Sequence, residues 1–250
     1  MNMTVEVKLL KMEVQAFGHM LSLYPLLIWD GEDAVLVDTG MPGMERQIMK
    51  AIEDAGVPLS KLKSILLTHH DIDHIGSLPA IIEQNAAKIM VYAHELERPY
   101  IEGLKPLMKM DLSQPSLQQR LQSLPPEARE KTEALCMNPP KAPVNKLVAG
   151  GDIIPLCGGI YVIETPGHTL GHISFYLPKS KTLIAGDAMI AAEGRLKAPK
   201  PADTPDMKQA VQSLERLKAY EIETVICYHG GLFQGDVQGE IDKILVETIV

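Results

Sequence analysis

Four short apolar segments of this chain each end beside a turn that carries histidine or aspartate. The segments cover residues 62–67, 160–164, 182–185 and 225–227. Their short length and their β-branched content predict buried strands. Loops at the carboxyl ends of strands are where α/β sheets bind ligands and carry out chemistry. Because this placement occurs four times, we expect the four strand ends to converge on one site.

The rest of the chain predicts strands and helices in alternation around those segments. Further strands are expected at 5–15, 26–29, 34–37 and 88–92, and helices at 43–56, 75–84, 205–220 and 236–246. Thr204 and Pro205 fit the N-cap and the first helical position of the third helix. A hairpin region followed by a βαβαβ order is typical of layered α/β proteins. We therefore predict a single α/β domain over residues 1–250.

Residues 99–145 interrupt this order and hold many of the chain's 18 prolines. Two amphipathic pieces, 116–124 and 126–135, lie between those prolines. The segment is too short and too interrupted to form a core of its own. We predict a helical insertion that lies like a lid over the core. A mobile loop is the alternative, because long loops in compact domains are commonly lids or disordered segments.

The segment THHDIDH, at residues 68–74, holds five side chains that can bind a metal ion. These residues are too close in sequence to share one face of a helix or a strand. A loop can instead turn His69 and Asp71 to one side, and Asp73 and His74 to the other. The spacing therefore predicts a segment that divides its ligands between two ions.

Composition and charge restrict the partners of this chain. Its 250 residues include 24 Lys and Arg against 32 Asp and Glu, a formal net charge of −8. A net acidic chain is a poor general binder of nucleic acid or anionic membranes. Its apolar runs are far shorter than the ~20 residues that cross a bilayer. The 3 cysteines, an odd number without a C-x-x-C, favour a cytoplasmic location over a disulfide framework.

Taken together, these motifs resemble the metallo-β-lactamase superfamily of binuclear metallohydrolases. The family's pattern is H-x-H-x-D-H, then a distant histidine, a bridging aspartate and a final histidine. The residues that match are His69, Asp73, His74, His168, Asp187 and His229. His168 stands in a TPGHTLGH stretch, and residues 37–40 match the family's early V-D-T-G turn. The resemblance covers residues 26–231 and implies an α/β fold, a four-layered αββα sandwich with the metals at one edge between two sheets.

One position departs from the pattern, since Asp71 stands where the family has its second histidine. The superfamily includes members with a carboxylate there, among them di-iron flavoproteins. The resemblance then implies two ligand sets, His69, Asp71 and His168 on one metal and Asp73, His74 and His229 on the other, with Asp187 bridging. Zinc is the first expectation for the two divalent ions, with iron or manganese as alternatives because a carboxylate makes the first site more anionic. If Asp71 instead caps a turn, the site holds one metal.

The resemblance implies a metal-dependent hydrolase acting on a small molecule. Two metals lower the pKa of a bridging water, and the resulting hydroxide attacks an ester, lactone or thioester carbonyl. Asp73 is the candidate catalytic residue, because a ligating carboxylate can orient the hydroxide and pass a proton to the leaving group. Ile190 stands where acyl-homoserine lactonases carry tyrosine, and the basic glutathione-binding domain of glyoxalase II is not recognisable. The substrate class therefore stays open.

Alternatives also stay open for the function and for the neighbouring residues. The Asp71 variant is compatible with a di-iron redox protein that reduces O₂ or NO with a separate flavin partner. A non-catalytic member that uses the fold for binding is a third possibility. Asp38 and His172 are candidates to orient ligand imidazoles, and a plain structural role is the alternative for each. His70 is expected to point away from the metals or to support a ligand.

Overall fold

The computed structural model describes residues 5–16, 19–85 and 88–249. In these ranges the strands are β1 (Glu6–Leu9), β2 (Met12–Ala16), β3 (His19–Leu23), β4 (Leu26–Trp29), β5 (Ala34–Val37), β6 (Leu62–Leu66), β7 (Met90–His94), β8 (Lys146–Val148), β9 (Ile153–Ile154), β10 (Ile160–Glu164), β11 (Ile173–Leu177), β12 (Thr182–Gly186), β13 (Ile190–Ala192), β14 (Arg195–Lys197), β15 (Thr224–Cys227) and β16 (Gly231–Gln234). The α-helices are α1 (Glu45–Asp54), α2 (Ile72–Ile75), α3 (Leu78–Gln84), α4 (Arg98–Ile101), α5 (Pro115–Ser123), α6 (Pro126–Met137), α7 (Met207–Ser213) and α8 (Val237–Ile249). Short 3₁₀ segments cover Leu59–Lys61, Met108–Met110, Pro201–Asp203 and Leu214–Ala219. None of the described helices has both the length and the apolar character needed to cross a membrane.

Two six-stranded sheets form the centre of the molecule. The first has the order β1-β4-β5-β6-β7-β8, and the second has the order β16-β15-β12-β11-β10-β9. Strands β5 to β8 run parallel to one another, whereas β1, β4 and β5 pair in antiparallel fashion. In the second sheet, β12 and β15 are parallel and their other neighbours are antiparallel. Each sheet is therefore mixed, and its parallel part includes strands that end in predicted ligands.

The two sheets pack face to face, and helices cover both outer faces. Successive side chains of a strand point to opposite faces, so Val35 and Val37 of β5 share a buried cluster with Phe175 of the second sheet. On the outer side, Leu36 packs in the cluster that contains Ile48 of α1. Both faces of β5 are thus covered, which explains why all four of its residues are buried. With α7 and α8 packed on the second sheet, the layers form the predicted αββα sandwich.

The insertion lies between β7 and β8 and is helical, as the prolines and amphipathic pieces predicted. It contains α4, α5, α6 and one of the 3₁₀ segments. Leu117 and Leu121 of α5 are buried in the same cluster as the helices outside the first sheet. The insertion therefore packs on the main core. The prediction of one domain over 1–250 stays a prediction, since it extends past the described residues.

The predicted start of the helix after residue 204 is wrong. The α-helix begins at Met207, and Asp206 is its N-cap. Asp206 Oδ1 accepts a hydrogen bond of 2.8 Å from the backbone N–H of Gln209, which satisfies a helix-end donor with a charged acceptor. The helix also ends early, at Ser213, and continues as a 3₁₀ segment to Ala219.

Candidate metal centre

Four loops meet at one edge of the sandwich, and each follows the carboxyl end of a strand. The loop after β6 comes from the first sheet, and the loops after β10, β12 and β15 come from the second. Two antiparallel steps through β11 orient β10 like β12, so these three strands end at the same edge. The segments that follow these strand ends, including the short helix α2 with Asp73 and His74, carry the seven predicted ligands, namely His69, Asp71, Asp73, His74, His168, Asp187 and His229.

The structure brings four of these residues into a first group, His69, Asp71, His168 and Asp187. Asp71 Oδ2 lies 3.2 Å from His69 Nε2 and 3.1 Å from His168 Nε2. Asp187 Oδ2 lies 3.3 Å from His168 Nε2. Asp71 is the N-cap residue of α2, yet its side chain makes no capping hydrogen bond. This geometry favours the interpretation of Asp71 as a ligand over its interpretation as a turn cap.

The other three residues, Asp73, His74 and His229, form a second group beside the first. His229 Nε2 lies 3.2 Å from Asp73 Oδ2 and 3.4 Å from Asp187 Oδ2. Asp187 Oδ1 lies 3.5 Å from His74 Nε2. The Asp187 carboxylate therefore faces both groups, which is the position that a bridging ligand requires.

The hydrogen bonding of the cluster tests whether these residues fit metal ions. Among the described residues, the buried side-chain nitrogens and oxygens without a hydrogen-bond partner are His69 Nε2, His74 Nε2 and Asp187 Oδ1. Leaving one such atom unsatisfied costs about 1–3 kcal/mol. All three belong to predicted ligands, and a mixed set of imidazoles and carboxylates suits divalent transition metals. The donor set therefore fits a metal-binding site.

Asp38 positions His74 from behind. Its Oδ2 lies 2.9 Å from His74 Nδ1, and its Oδ1 accepts a hydrogen bond of 2.9 Å from the backbone N–H of Thr68. With Nδ1 engaged in this way, Nε2 of His74 is turned toward the cluster. Asp38 has a φ of 60°, a strained conformation for a residue other than glycine. These two bonds hold it there, and the predicted orienting role agrees with the contact.

His172 supports the bridging residue through the backbone. Its Nε2 accepts a hydrogen bond of 3.0 Å from the N–H of Asp187, while its Nδ1 lies 2.8 Å from Thr165 Oγ1. Gly186, at φ 56°, precedes Asp187, and a Cβ there would lie 2.8 Å from His172 Nε2. The turn that presents Asp187 therefore depends on a glycine packed against this histidine.

Threonine hydroxyls contact the remaining imidazole nitrogens of the first group. Thr68 Oγ1 lies 3.0 Å from His69 Nδ1, and Thr204 Oγ1 lies 3.2 Å from His168 Nδ1. The second contact gives Thr204 a partner at the metal centre, in place of the helix-capping role that the sequence predicted for it. These uncharged contacts are weaker than the carboxylate contact that holds His74.

Glu97 ties two ligand loops together and was missed by the sequence prediction. Its buried carboxylate accepts hydrogen bonds from the backbone N–H of His70 at 2.9 Å and of Gly171 at 2.7 Å, and from Thr169 Oγ1 at 2.8 Å. Burial acts to raise the pKa of Glu97, but the contact with His70 and these bonds lower it below its usual range. His70 therefore supports the loop from outside. The sequence could have indicated Glu97, because this residue closely follows the end of strand β7, as the predicted ligands follow the ends of their strands.

Two further residues at the site had no role in the sequence prediction. The Tyr228 hydroxyl donates a hydrogen bond of 2.5 Å to the backbone carbonyl of Asp73, and its ring centroid lies 3.8 Å from that of His74. Lys109, from the insertion, contacts Asp71 Oδ2 and lies 2.7 Å from His168 Nε2. Tyr228 is adjacent to a predicted ligand in sequence, but nothing in the sequence near Lys109 indicates its position.

The charges of the cluster shift the pKa values of its members in opposite directions. Burial acts to raise the pKa of Asp187, but His229 and His74 hold it well below its usual range. Burial and the neighbouring His74 hold the pKa of His69 well below its usual range. Burial also acts to lower the pKa of His229, yet Asp187 and Asp73 raise it to about 10. His69 and His229 therefore differ in how readily their imidazoles hold a proton.

A cavity of about 370 Å³ opens onto the cluster. Its polar floor is formed by Asp71, Asp73, His168, Asp187 and His229. The leucine, isoleucine and methionine residues that line it are Leu21, Ile72, Leu107, Met110, Leu117, Leu121, Leu124 and Ile190. Most of these lie between residues 107 and 124, so the insertion shapes the cavity. His19, which no sequence motif singled out, also lines it.

An αββα sandwich with a histidine and aspartate cluster at its edge defines a metal-binding α/β protein. The chain belongs to the Metallo-beta-lactamase superfamily, whose sequence profile matches residues 24–229. The family that the motifs predicted is therefore confirmed. The metal-binding cluster that the family and the geometry share indicates a metallohydrolase.

Individual relatives agree with this assignment. The chain is 32% identical over 209 residues to the probable metallo-hydrolase YflN of Bacillus subtilis (strain 168), covering 78% of this chain and 75% of that protein. It is 30% identical over 199 residues to a hydroxyacylglutathione hydrolase of Enterobacter sp. (strain 638), covering 79% of this chain and 57% of that protein. A metallo-beta-lactamase family protein from Thermus thermophilus aligns with a TM-score of 0.70 and 25% identity, over 96% of this chain and 78% of the other.

Proposed function

We propose that this protein hydrolyses an ester, lactone or thioester bond of a small molecule, using two divalent metal ions. The observation that carries the proposal is the seven-residue donor cluster, with three unsatisfied buried atoms, at the floor of a cavity. The names of the relatives support hydrolysis, and one of them denotes cleavage of an acyl group from glutathione.

Two cations would be held by the two groups, with Asp187 shared between them. When bound, such ions supply Lewis acidity, which lowers the pKa of water and polarises a carbonyl oxygen. Zinc is the first expectation, and iron or manganese are the alternatives because Asp71 adds a hard oxygen donor. The roles of the chain's own residues follow from their positions around these ions.

Asp73 is placed to orient the attacking water and to move its proton. Its side chain is 16% exposed and lines the cavity. Burial acts to raise the pKa of Asp73, but the charges of His74 and His229 lower it, so the carboxylate is held in its ionised form. The bond from Tyr228 to its backbone carbonyl fixes the residue. Asp73 can then deliver the proton to the leaving group, because it faces the substrate cavity.

The cavity walls favour a substrate with an apolar acyl portion. The insertion contributes Leu107, Met110, Leu117 and Leu121, and strand β13 contributes Ile190. Burial of apolar substrate surface against such walls is favourable at about 25 cal/mol per Å². The carbonyl would then lie at the polar floor, where the donor cluster is.

A di-iron redox protein acting with a separate flavin partner is the second candidate, because the Asp71 carboxylate also suits iron. Colour and iron content of the purified protein separate the two candidates. A colourless protein that holds zinc and hydrolyses a substrate agrees with the first candidate. An iron-loaded protein that consumes O₂ or NO with a reduced flavoprotein, and hydrolyses none of the substrates, agrees with the second.

The proposed activity is tested by metal analysis, chelation and metal restoration, with a panel of ester, lactone and thioester substrates. Turnover is expected to vanish on chelation and to return with metal. Substitution Asp73→Asn is expected to lower kcat by about 10²–10⁴-fold, the range for loss of a general acid–base. Asp54→Asn, an exposed aspartate of α1 that pairs with Lys50 away from the cavity, is the matched control and should change kcat little. Unchanged turnover in the metal-free protein would contradict the proposal.

A further inference from the structure

A lysine of the insertion lies among the ligands proposed for the first metal. Lys109 Nζ contacts Asp71 Oδ2 and lies 2.7 Å from His168 Nε2. The lysine side chain is 19% exposed and that of Asp71 is 10% exposed. The ammonium group is therefore close to the two donor atoms that a metal at this site would use.

A metal ion and this ammonium group cannot occupy the position together. Zinc binds imidazole nitrogen and carboxylate oxygen at about 2.0–2.2 Å. A zinc ion bound to Asp71 Oδ2 and His168 Nε2 would therefore overlap with the Lys109 ammonium group, which contacts the same two atoms. Two positive charges this close repel each other strongly at low dielectric. A metal that binds Asp71 and His168 must therefore displace the lysine.

The backbone around Lys109 is anchored, so its side chain is directed to the cluster. The N–H of Met108 donates a hydrogen bond of 3.4 Å to His70 Nε2, and His70 Nδ1 contacts the carboxylate of Glu97. Leu107 and Met110, on either side, are buried in the core. The side chain itself is long and flexible, so it can move while its backbone stays in place.

The structure also provides space for the displaced side chain. Lys109 lines the cavity above the cluster and a second cavity of about 560 Å³. The second cavity is also lined by the carboxylates of Asp111 and Asp203 and by the side chains of Lys105 and Arg120. Withdrawal of Lys109 into that space would leave the first group of ligands free for a metal.

We propose that Lys109 is a tethered cation that competes with metal for the site of His69, Asp71 and His168. That site is then expected to bind metal more weakly than the site of Asp73, His74 and His229. In this second site, the described ion pairs of Asp73 are with histidines and not with a lysine. The inference rests on the proposed metal centre, but it concerns metal affinity and does not depend on the substrate.

The test is titration of the metal-free protein with Zn²⁺ against a competing chelator, without substrate. Wild type is compared with Lys109→Met, which removes the charge, and Lys109→Arg, which keeps it. Lys131→Met is the matched control, since Lys131 is an exposed lysine of the insertion that pairs with Glu127 and lines neither cavity. The Co²⁺ absorption spectrum provides a second readout, because it reports on the ligands of each site.

Removal of the Lys109 charge is expected to tighten the weaker binding step by about tenfold or more and to leave the stronger step unchanged. Lys109→Arg and Lys131→Met should behave like wild type. One binding step in wild type and two in Lys109→Met would also support the proposal. If the Met variant does not fold, Lys109→Gln gives the same comparison.

Equal affinities in wild type and Lys109→Met, or a weaker second step in the variant, would overturn the proposal. So would a single binding step in both proteins. These outcomes are separate from the proposed function. Metal-dependent hydrolysis can hold while Lys109 has no effect on affinity, and Lys109 can control metal binding in a protein that hydrolyses none of the substrates.

Discussion

The two halves of the metal centre differ in what supports them, although one loop supplies ligands to both. The half with Asp73, His74 and His229 is held by the core, through the Asp38 carboxylate and the Tyr228 hydroxyl. The half with Asp71 and His168 is supported by uncharged threonines and contacts the insertion at Lys109. The comparison indicates one preformed site and one site that depends on how the insertion lies.

The halves also differ in where positive charge resides before a metal binds. The pKa of His74 is raised well above its usual range, because Asp38 and Asp187 outweigh the effect of burial, and that of His229 is raised to about 10. Burial lowers the pKa of His69, and the cation in its half is Lys109. If each half binds a metal as proposed, binding at the first half would displace a lysine, whereas binding at the other half would release protons.

The largest effect on metal content is expected where the halves join. Substitution Asp187→Asn removes the carboxylate that faces both groups, so metal content should fall at both and hydrolysis should drop by about 10²–10³-fold. Metal analysis of the purified variant measures the loss of metal, and turnover of the substrate measures the loss of hydrolysis. Asp242→Asn, an exposed aspartate paired with Lys218, is the control. Loss of metal from one half alone would show that Asp187 does not bridge.

A smaller effect, strongest in the Asp73 half, is expected from Asp38→Asn. Asp38 contacts His74 directly but reaches His69 only through the Thr68 hydroxyl. Asparagine tolerates the positive φ, but it loses the charge behind His74, so metal affinity in the Asp73 half should fall about 10–100-fold. The matched change in the other half is Thr204→Val, which removes an uncharged contact to His168 and should cost less than about tenfold. Competitive metal titration compares the two variants. Equal losses of metal affinity in the two variants would contradict the distinction between a half that the core holds and a half that depends on the insertion.

A change in metal preference, with metal content retained, is expected from Asp71→His, which changes the donor type and keeps a ligand. An imidazole in place of the carboxylate should shift preference toward zinc over manganese by about tenfold. The ratio of bound zinc to bound manganese, after loading with an equimolar mixture of the two ions, measures this preference. Unchanged content and preference would place Asp71 outside the ligand set.

The αββα fold could be predicted because local motifs at strand ends identified the family. The grouping of the seven candidate ligands followed from the same motifs, since they lie within short segments. Lys109 could not be predicted, because its position depends on how Leu117 and Leu121 pack the insertion on the core. The predicted start of α7 was wrong for a related reason. Thr204 and Asp206 are both good N-cap residues, and only the fold shows that Thr204 contacts His168.

The division of the donors between two sheets has a mechanical consequence. Asp71 follows a strand of the first sheet and His168 a strand of the second, and 97 positions separate them in the chain. An ion held by both would act as a reversible cross-link that closes this long loop, so the sheets could not separate without releasing it. Such binding adds to the free energy of unfolding as the free ion concentration rises. Heat resistance and protease resistance of this protein are therefore expected to follow its metal supply.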